Sequence, residues 1–468
     1  MVGASKSPAT HSGPRCLVIG GSHSGVGKTT ISLGLMAAFK KRGHAVQAFK
    51  VGPDFIDPGH HRRLLGTASR NLDGWMLSKG YNLETFSHSM CHKDLGIVEG
   101  VMGLFDGYDG RSEAGSTAQM AKWLKCPVIL VVDASSMARS IAALVHGFRT
   151  FDPELQLEGL IANRVGSQTH TRFLAEAMES IPGVTFLGGL PRTEEITIPE
   201  RHLGLVTSDE DPYPIDLFDR LASLMEEHLE LDKLYELPIC RVNRKNIPLP
   251  RANQTGVRLG VARDEAFCFY YQDNLDLLAR YGADLCFFSP VRDSHLPPDL
   301  SGLYLGGGYP EVFAQQLGEN LSLKSEILAA ARGGMPIFAE CGGFMYLTSS
   351  IEVEGRDYPM VGIYPFKTRM LSRRKALGYR EVVLKKASLL GPQGLRARGH
   401  EFHYSELLDG TGGMDDLYQV SDRVGRTVGP DGFMVYNTLA GYIHFHFGSN
   451  PNMAAHFVDN CREYRNRS

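Results

Sequence analysis

Three groups of residues carry reactive side chains at spacings that a chemistry requires. The first is Gly21-Ser22-His23-Ser24-Gly25-Val26-Gly27-Lys28-Thr29-Thr30, between a short apolar run (CLVIG) and a helical stretch opening at Thr29. A strand, a glycine loop and then Gly-Lys-Thr opening a helix make a polyphosphate cradle. Backbone N–H groups and the helix N-terminus surround the phosphates, Lys28 meets the terminal oxygens, and the Thr29 hydroxyl ligates Mg²⁺. Ser24, Gly25, Val26, Gly27, Lys28, Thr29 and Thr30 are the expected ATP contacts. Ser22 stands where the common GxxxxGK[ST] pattern has glycine, so the loop is a variant. A glycine-rich turn with an incidental lysine is the plainer reading, and the flanking strand–helix pattern speaks against it.

The second group is acidic. Asp54 and Asp57 lie in GPDFIDP after a second apolar run, Glu99 ends a third, and Asp106 follows in EGVMGLFDG. Carboxylates at strand ends beside such a loop can hold Mg²⁺ with its remaining waters, or position an anionic substrate through the metal. Thr29, Asp57 and Glu99 are the expected Mg²⁺ ligands. Asp before Pro or Gly is also an ordinary turn residue. Glu99, ending an apolar strand, fits that plainer role least. Asn163, after the Leu157–Ala162 run, is a candidate reader of the adenine ring.

The third group surrounds Cys341 in Ala339-Glu340-Cys341-Gly342-Gly343. A cysteine on a tight strand-to-helix turn exposes its thiol, and a helix N-terminus lowers the thiol's pKa toward thiolate. Gly441-Tyr442-Ile443-His444-Phe445-His446-Phe447 offers a base; in a strand, His444 and His446 share a face. Gly306-Gly307-Gly308 is a second glycine loop. Backbone amides of Gly307, Gly308 and Gly342 could form an oxyanion hole. Cys16, Cys126 and Cys286 read instead as small core residues. The HxH and HxxH spacings at 444–446 and 400–403 are weak metal signals without a carboxylate of defined geometry.

The elements that must position these groups follow from periodicity. Short apolar runs at Cys16–Gly20, Ala45–Lys50, Leu95–Glu99, Val128–Asp133 and Leu157–Ala162 alternate with helical segments, the signature of a parallel sheet covered on both faces. A second alternating series starts at Arg258, with a helix near Tyr270–Tyr281. Strands are expected at Asp284–Phe288, Leu303–Leu305, Pro336–Ala339 and Tyr442–Phe447. Residues 1–14 read as a disordered tail, 15–240 as one domain, 241–256 as a polar, proline-containing linker and 257–468 as a second domain. The fold class is α/β.

Composition narrows the function classes. The 468 residues are 43% hydrophobic and 22% charged, which excludes a disordered chain. Net charge is −3, with no long run of either sign, which removes the footprint of a nucleic-acid or anionic-membrane binder. No apolar stretch approaches a membrane span. The 8 cysteines form no CxxC pair, so a reduced, cytoplasmic protein is expected.

Taken together and in this order, GSHSGVGKTT, GPDFIDP, EGVMGLFDG, TIPERHLGL, ECGGFMYL and RGHEFHYS resemble the cobyrinate a,c-diamide synthase family, glutamine-dependent ATP ligases of cobalamin synthesis. The resemblance runs from about residue 15 to about residue 455. It implies a P-loop, dethiobiotin-synthetase-like parallel sheet followed by a class I glutamine amidotransferase domain of flavodoxin-like fold. It implies that Cys341 attacks glutamine to form a thioester, that His444 increases its nucleophilicity, and that Asp54, Asp57, Glu99 and Asp106 surround substrate, ATP and Mg²⁺. The small-molecule substrates implied are a corrinoid or related tetrapyrrole, L-glutamine and ATP. A homodimer is compatible with this, and neither nucleic acid nor membrane is expected as a partner.

Two departures from the family pattern stand out. Phe55 occupies a position where some relatives have Tyr. His446 stands two residues after His444, where many class I amidotransferases carry Glu; the subgroup resembled works with a Cys–His dyad. Family members differ in macrocycle, among cobyrinate, hydrogenobyrinate and nickel-sirohydrochlorin, and cobyrinate is expected as the commonest. A nucleotide-switch ATPase is the alternative of a different class. Partitioning-type switches carry lysine where His23 stands, and a switch does not need the Cys341 elbow. CTP synthase also couples a P-loop domain to an amidotransferase, but GPDFIDP and RGHEFHYS do not fit its pattern.

Overall fold

The computed structural model describes residues 14–192, 200–201, 204–205, 216–237, 256–408, 410 and 413–467. All but the last residue of the expected tail and of the expected linker, and most of TIPERHLGL, lie outside the described residues.

The apolar runs of the first half pair side by side as parallel strands: β1 (Arg15–Gly21), β2 (Val46–Val51), β3 (Arg70–Leu72), β4 (Leu95–Glu99), β5 (Val128–Asp133), β6 (Leu157–Val165) and β7 (Thr185–Pro191). Their spatial order is β3-β2-β4-β1-β5-β6-β7. Helices α1 (Lys28–Lys41), α2 (Ile56–Leu65), α3 (Lys79–Ser89), α4 (Thr117–Leu124), α5 (Ser140–Phe151) and α6 (Gln168–Met178) alternate with most of the strands. A sheet covered on both faces needs apolar side chains on both, so these strands read as continuous rather than alternating hydrophobic runs. Val18, Phe49, Val98 and Leu130 are fully buried in one core. Helix α1 is buried throughout Ile31–Phe39, with no solvent-facing stripe over that span. The helix Leu217–His228 explains this, since its Met225 reaches Gly34 on α1's other side. Chain order reverses at β1, whose neighbours are β4 and β5. Ligand sites of open α/β sheets lie at the carboxyl ends of strands at such a point.

In the second half, Val257–Ala262, Ala283–Phe288, Gly302–Leu305, Ile337–Glu340 and Thr438–Gly441 form a parallel sheet. Their order is second, first, third, fourth, fifth, the flavodoxin-like arrangement. Beyond Thr438–Gly441 the sheet continues, its neighbouring strands pairing antiparallel, through Asp431–Val435, Asp416–Asp422, Ala376–Leu384, Arg396–His403 and His444–Phe445. The strand expected over Tyr442–Phe447 is shortened to His444–Phe445 and gives way to a 3₁₀ turn at Phe447–Ser449. The segment pairs with Arg396–His403 on one edge, and side chains take other backbone groups of the segment, as described below.

The chain forms two compact units, one from Met1–Gly74, Asn82–His202 and Tyr213–Ile247, the other from Trp75–Tyr81, Leu203–Pro212 and Pro248–Ser468. Trp75–Tyr81, which follows β3 in sequence, thus packs as part of the second unit. There Trp75 stacks on Tyr379 at 4.9 Å, and Arg398 donates to its carbonyl at 2.8 Å. Among the described residues no helix is long and apolar enough to cross a membrane.

Candidate active sites

In the first unit, the phosphate loop leaves β1 and turns into α1 through two glycines with positive φ, Gly25 (79°) and Gly27 (100°). At Gly27 a side chain is excluded twice over: φ disfavours it, and a Cβ would lie 2.4 Å from Asn163 Nδ2. Asn163 donates to the Val26 carbonyl at 2.8 Å, so the structure places it against the loop backbone. Arg164 donates to the Gly25 carbonyl at 3.1 Å. Ser24 is exposed; Thr29 and Thr30 are half-buried. Lys28 Nζ donates to the Met102 carbonyl at 2.5 Å and the His23 carbonyl at 3.4 Å. Its pKa is lowered, by burial first and then by Lys50, against Glu99, Asp57 and Asp106.

The acidic residues converge on that loop. Thr29 Oγ1 donates to Glu99 Oε1 at 2.7 Å and lies 3.4 Å from Asp57 Oδ1. Sequence reasoning missed the cation that holds them. Lys50, near the end of β2, places Nζ 2.6 Å from Asp57 Oδ2 and 2.9 Å from Glu99 Oε1. It also lies 3.9 Å from Asp54 and donates to the Gly100 carbonyl. Glu99 is fully buried, and its other oxygen meets His61 Nε2 at 2.8 Å. Burial alone would lower the Lys50 ammonium and raise Asp57. Their attraction wins, so Lys50 is held above its ordinary value and Asp57 well below its own. Asp106 accepts from the Gly103 N–H at 3.0 Å, bracing the loop after β4. The signal for Lys50 was present in the sequence as a lysine inside an apolar strand, VQAFKV, where an unpaired charge is too costly to bury.

Thr29, Asp57 and Glu99 thus bring hard oxygen donors within hydrogen-bond distance of one another, a donor set that suits Mg²⁺.

In the second unit, Ile337–Glu340 ends at Cys341, whose φ of 47° and ψ of −104° are those of a strained elbow. The elbow is clamped: Cys341 N donates to the Gly441 carbonyl at 2.7 Å, and Gly343 N to the Gly306 carbonyl at 2.9 Å. Gly342 packs against the Gly308 amide. The expectation that a helix N-terminus lowers the thiol pKa is not met. Burial pushes the thiol up and Glu311 adds to it, while the Gly342 amide pulls the other way. The helix, Gly342–Leu347, is only 6 residues long, too short for its dipole to outweigh burial.

His444 lies against Gly307, where an added Cβ would sit 2.3 Å from His444 Cε1. Its other face stacks on His400, ring centroids 4.9 Å apart and planes 16° apart. His400 meets the Tyr271 hydroxyl at 2.8 Å, and Tyr271 packs on His446 at 4.5 Å. Burial, then His400 and His403, hold His444 well below its ordinary value, with Glu401 opposing. His400 is lowered to about 3, chiefly by burial. The segment's backbone is pinned by three buried residues that sequence reasoning missed. Asp431 accepts from Tyr442 N and Ile443 N, at 2.9 and 3.2 Å. Glu340 accepts from Phe445 N at 2.8 Å. Asn274 bonds the Phe445 carbonyl and Phe447 N at 2.8 and 2.7 Å. These bonds are why the segment need not be a regular strand.

A phosphate loop with a buried Lys–Asp–Glu cluster in one unit, and in the other a cysteine elbow packed on a glycine loop that also abuts His444, define a nucleotide-binding domain joined to a glutamine amidotransferase domain. Residues 17–206 match the CobQ/CobB/MinD/ParA nucleotide binding domain and residues 258–452 the CobB/CobQ-like glutamine amidotransferase domain. The chain is 45% identical over 450 residues to the cobyrinate a,c-diamide synthase of Leptospira interrogans, covering 95% of this chain and 98% of that protein. It is 43% identical over 451 residues to that of Priestia megaterium, covering 96% and 97%. It is also 43% identical over 450 residues to that of Archaeoglobus fulgidus, covering 94% and 96%. The chain belongs to the cobyrinate a,c-diamide synthase family.

Proposed function

We propose that the protein is a carbon–nitrogen ligase that amidates the a and c acetate carboxylates of cobyrinate, with glutamine as nitrogen donor and ATP as activator. The observation that carries this reading is the pairing of two unlike sites in one chain. The ionised cluster around Lys28, Thr29 and Lys50 suits phosphoryl transfer, and the neutral Cys341–His444 neighbourhood suits thioester chemistry. Identity to family members over nearly the whole chain supports it.

In the second unit, Cys341 Sγ attacks the glutamine side-chain carbonyl while His444 takes the thiol proton. With the thiol pushed up and the imidazole pushed down by burial, the resting pair is neutral, so attack and proton transfer are coupled. Amides of Gly342, Gly307 and Gly308 stabilise the oxyanion. His444 returns the proton to the departing ammonia, and water then hydrolyses the thioester to glutamate.

In the first unit, residues Ser24–Thr30 cradle the ATP phosphates, and Asn163 fixes that loop against β6. A substrate carboxylate oxygen attacks the γ-phosphorus, ADP leaves, and the resulting acyl phosphate is attacked at carbon by ammonia, releasing inorganic phosphate. Lys28 neutralises charge on the transferred group. Thr29, Asp57 and Glu99 would hold Mg²⁺, which when bound supplies charge neutralisation at the phosphates. Asp54, 3.9 Å from Lys50, and Asp106, which braces the loop after β4, would contribute to the substrate side of the site. Lys50 keeps Asp57 ionised and holds both Asp57 and Glu99 in place.

The test is a competition among cobyrinate, hydrogenobyrinate and nickel-sirohydrochlorin with ATP, Mg²⁺ and glutamine, mass spectrometry counting OH→NH₂ replacements. The expected result is two replacements on cobyrinate through a detectable monoamide. Preference for another macrocycle would change the substrate and keep the mechanism. No amidation of any of the three, with ATP hydrolysed regardless, would overturn the ligase reading.

A further inference from the structure

The residue before the nucleophile has no role in the reaction just described, yet it joins the nucleophile to the base. Glu340 ends the strand that delivers Cys341, in register with Gly441 of the neighbouring strand. It is 2% exposed. One carboxyl oxygen accepts from the Phe445 N–H at 2.8 Å, and the other meets the Tyr304 hydroxyl at 2.8 Å. The Phe445 amide belongs to the peptide that leaves His444, so its position sets the direction from which the imidazole enters the site. That direction has little latitude. His444 is packed between Gly307, which has no room for even one added carbon, and the stacked ring of His400. The strand His444–Phe445 is 2 residues long and pairs with Gly399 and His400 on one edge. On the Phe445 N–H, Glu340 does what a ladder partner would do.

We propose that Glu340 is a positioning residue for glutamine hydrolysis, holding the His444 imidazole in register with Cys341 by accepting the Phe445 amide. The inference rests on the reading of Cys341 and His444 given above. It gives this site a carboxyl group that acts on the histidine's backbone, where many amidotransferases place one two residues after the histidine. Burial pushes the Glu340 carboxyl up to about 8, so near pH 7 it is mainly neutral and acts as an acceptor rather than a charge.

An acceptor without charge can be replaced by an amide, and this makes the proposal testable with the full-length enzyme. Glutaminase kcat and glutamine KM are measured for Glu340→Leu and Glu340→Gln, alongside amidation supported by ammonium chloride. Glu340→Leu should lower glutaminase kcat about 10- to 100-fold, because the Phe445 amide loses its acceptor. Glutamine KM should stay within about threefold, since substrate contacts are untouched, and ammonium-supported amidation should be unchanged. Glu340→Gln should restore kcat to within about threefold of the parent. Parent-like kcat in Glu340→Leu, or Glu340→Gln as impaired as Glu340→Leu, would overturn the proposal. Should Glu340→Leu not fold, Tyr304→Phe frees one carboxyl oxygen and should lower kcat about threefold or more at unchanged KM. Parent kcat in Tyr304→Phe would then overturn it. Cys341→Ala, run in parallel, separates the two levels. If that variant still hydrolyses glutamine, the reading of the site fails, whatever Glu340 does.

Discussion

The two sites handle buried ionisable groups in opposite ways. Around β2 and β4, Lys50 lies within 3 Å of both Asp57 and Glu99, and attraction outweighs burial, keeping Lys50 and Asp57 charged. Around Cys341 burial wins: the thiol and Glu340 are pushed up, and His400 and His444 down. Phosphoryl transfer moves a highly charged group and benefits from fixed counter-charge set in advance. Thiol attack moves a proton, which is easiest when neither partner is already ionised by its surroundings. The same material, buried carboxyls and bases, is tuned by whether an opposite charge stands within about 3 Å.

Removing the charge compensation should give the largest effect. Lys50→Met leaves Asp57 and Glu99 without the ammonium that lies within 3 Å of both. Amidation with either nitrogen source should fall about 1,000-fold, and the first unit should lose about 3–5 kcal/mol of stability. Glutaminase activity should persist. Steady-state assays with glutamine and with ammonium chloride, plus thermal melting, check this; amidation at the parent rate would place Lys50 outside the mechanism.

The mirror experiment is Gly307→Ala. Its Cβ would fall 2.3 Å from His444 Cε1, so the imidazole must move. Glutamine hydrolysis should drop about 100-fold, the loss expected when a general base leaves its position, while ammonium-supported amidation stays intact. Equal loss of both activities would mean that the glycine loop serves the whole fold rather than the thiol site.

A smaller effect separates the two regions by pH. Glu340 is about 8 in the folded chain against an ordinary 4.5, so between those values the folded state binds a proton that the unfolded state has released. Its contribution to stability is therefore lost as pH rises through that window, by at most about 1.4 kcal/mol per unit. Asp57 runs the other way: its pKa is depressed, so its contribution is lost as pH falls below its ordinary value of 3.8. Comparison with Glu340→Gln isolates the Glu340 contribution, because every other titrating group is common to the two proteins. Between pH 6.5 and 8 the parent should lose stability relative to Glu340→Gln. Parallel unfolding curves for the two proteins across that range would contradict a raised carboxyl.

Most of the first unit could be read from sequence because parallel strands buried on both faces advertise themselves. Leu95–Glu99 and Val128–Asp133 are strands with the expected bounds, and Lys28, Thr29, Asp57 and Glu99 gather as their spacing implies. Lys50 was missed because a single lysine in an apolar run has no spacing rule; only its partners, contributed by other segments, explain it. The antiparallel half of the second sheet was missed for a different reason. Strands such as Arg396–His403 carry Arg, Gly, His and Glu on exposed or site-facing positions and show no clean period. The segment 442–447 looked like a strand by composition. Besides the Arg396–His403 strand on one edge, its backbone partners are Asp431, Glu340 and Asn274, side chains from 11 to 173 positions away.

The two sites divide the labour, and one measurement tests that division most directly. Cys341→Ala, purified and shown to be folded, is assayed for diamide formation from cobyrinate with ATP and Mg²⁺, once with glutamine and once with ammonium chloride. The division predicts no product above background with glutamine and the parent rate with ammonium, because only ammonia release uses the thiol. Loss of both activities, or persistence of the glutamine reaction, would contradict it.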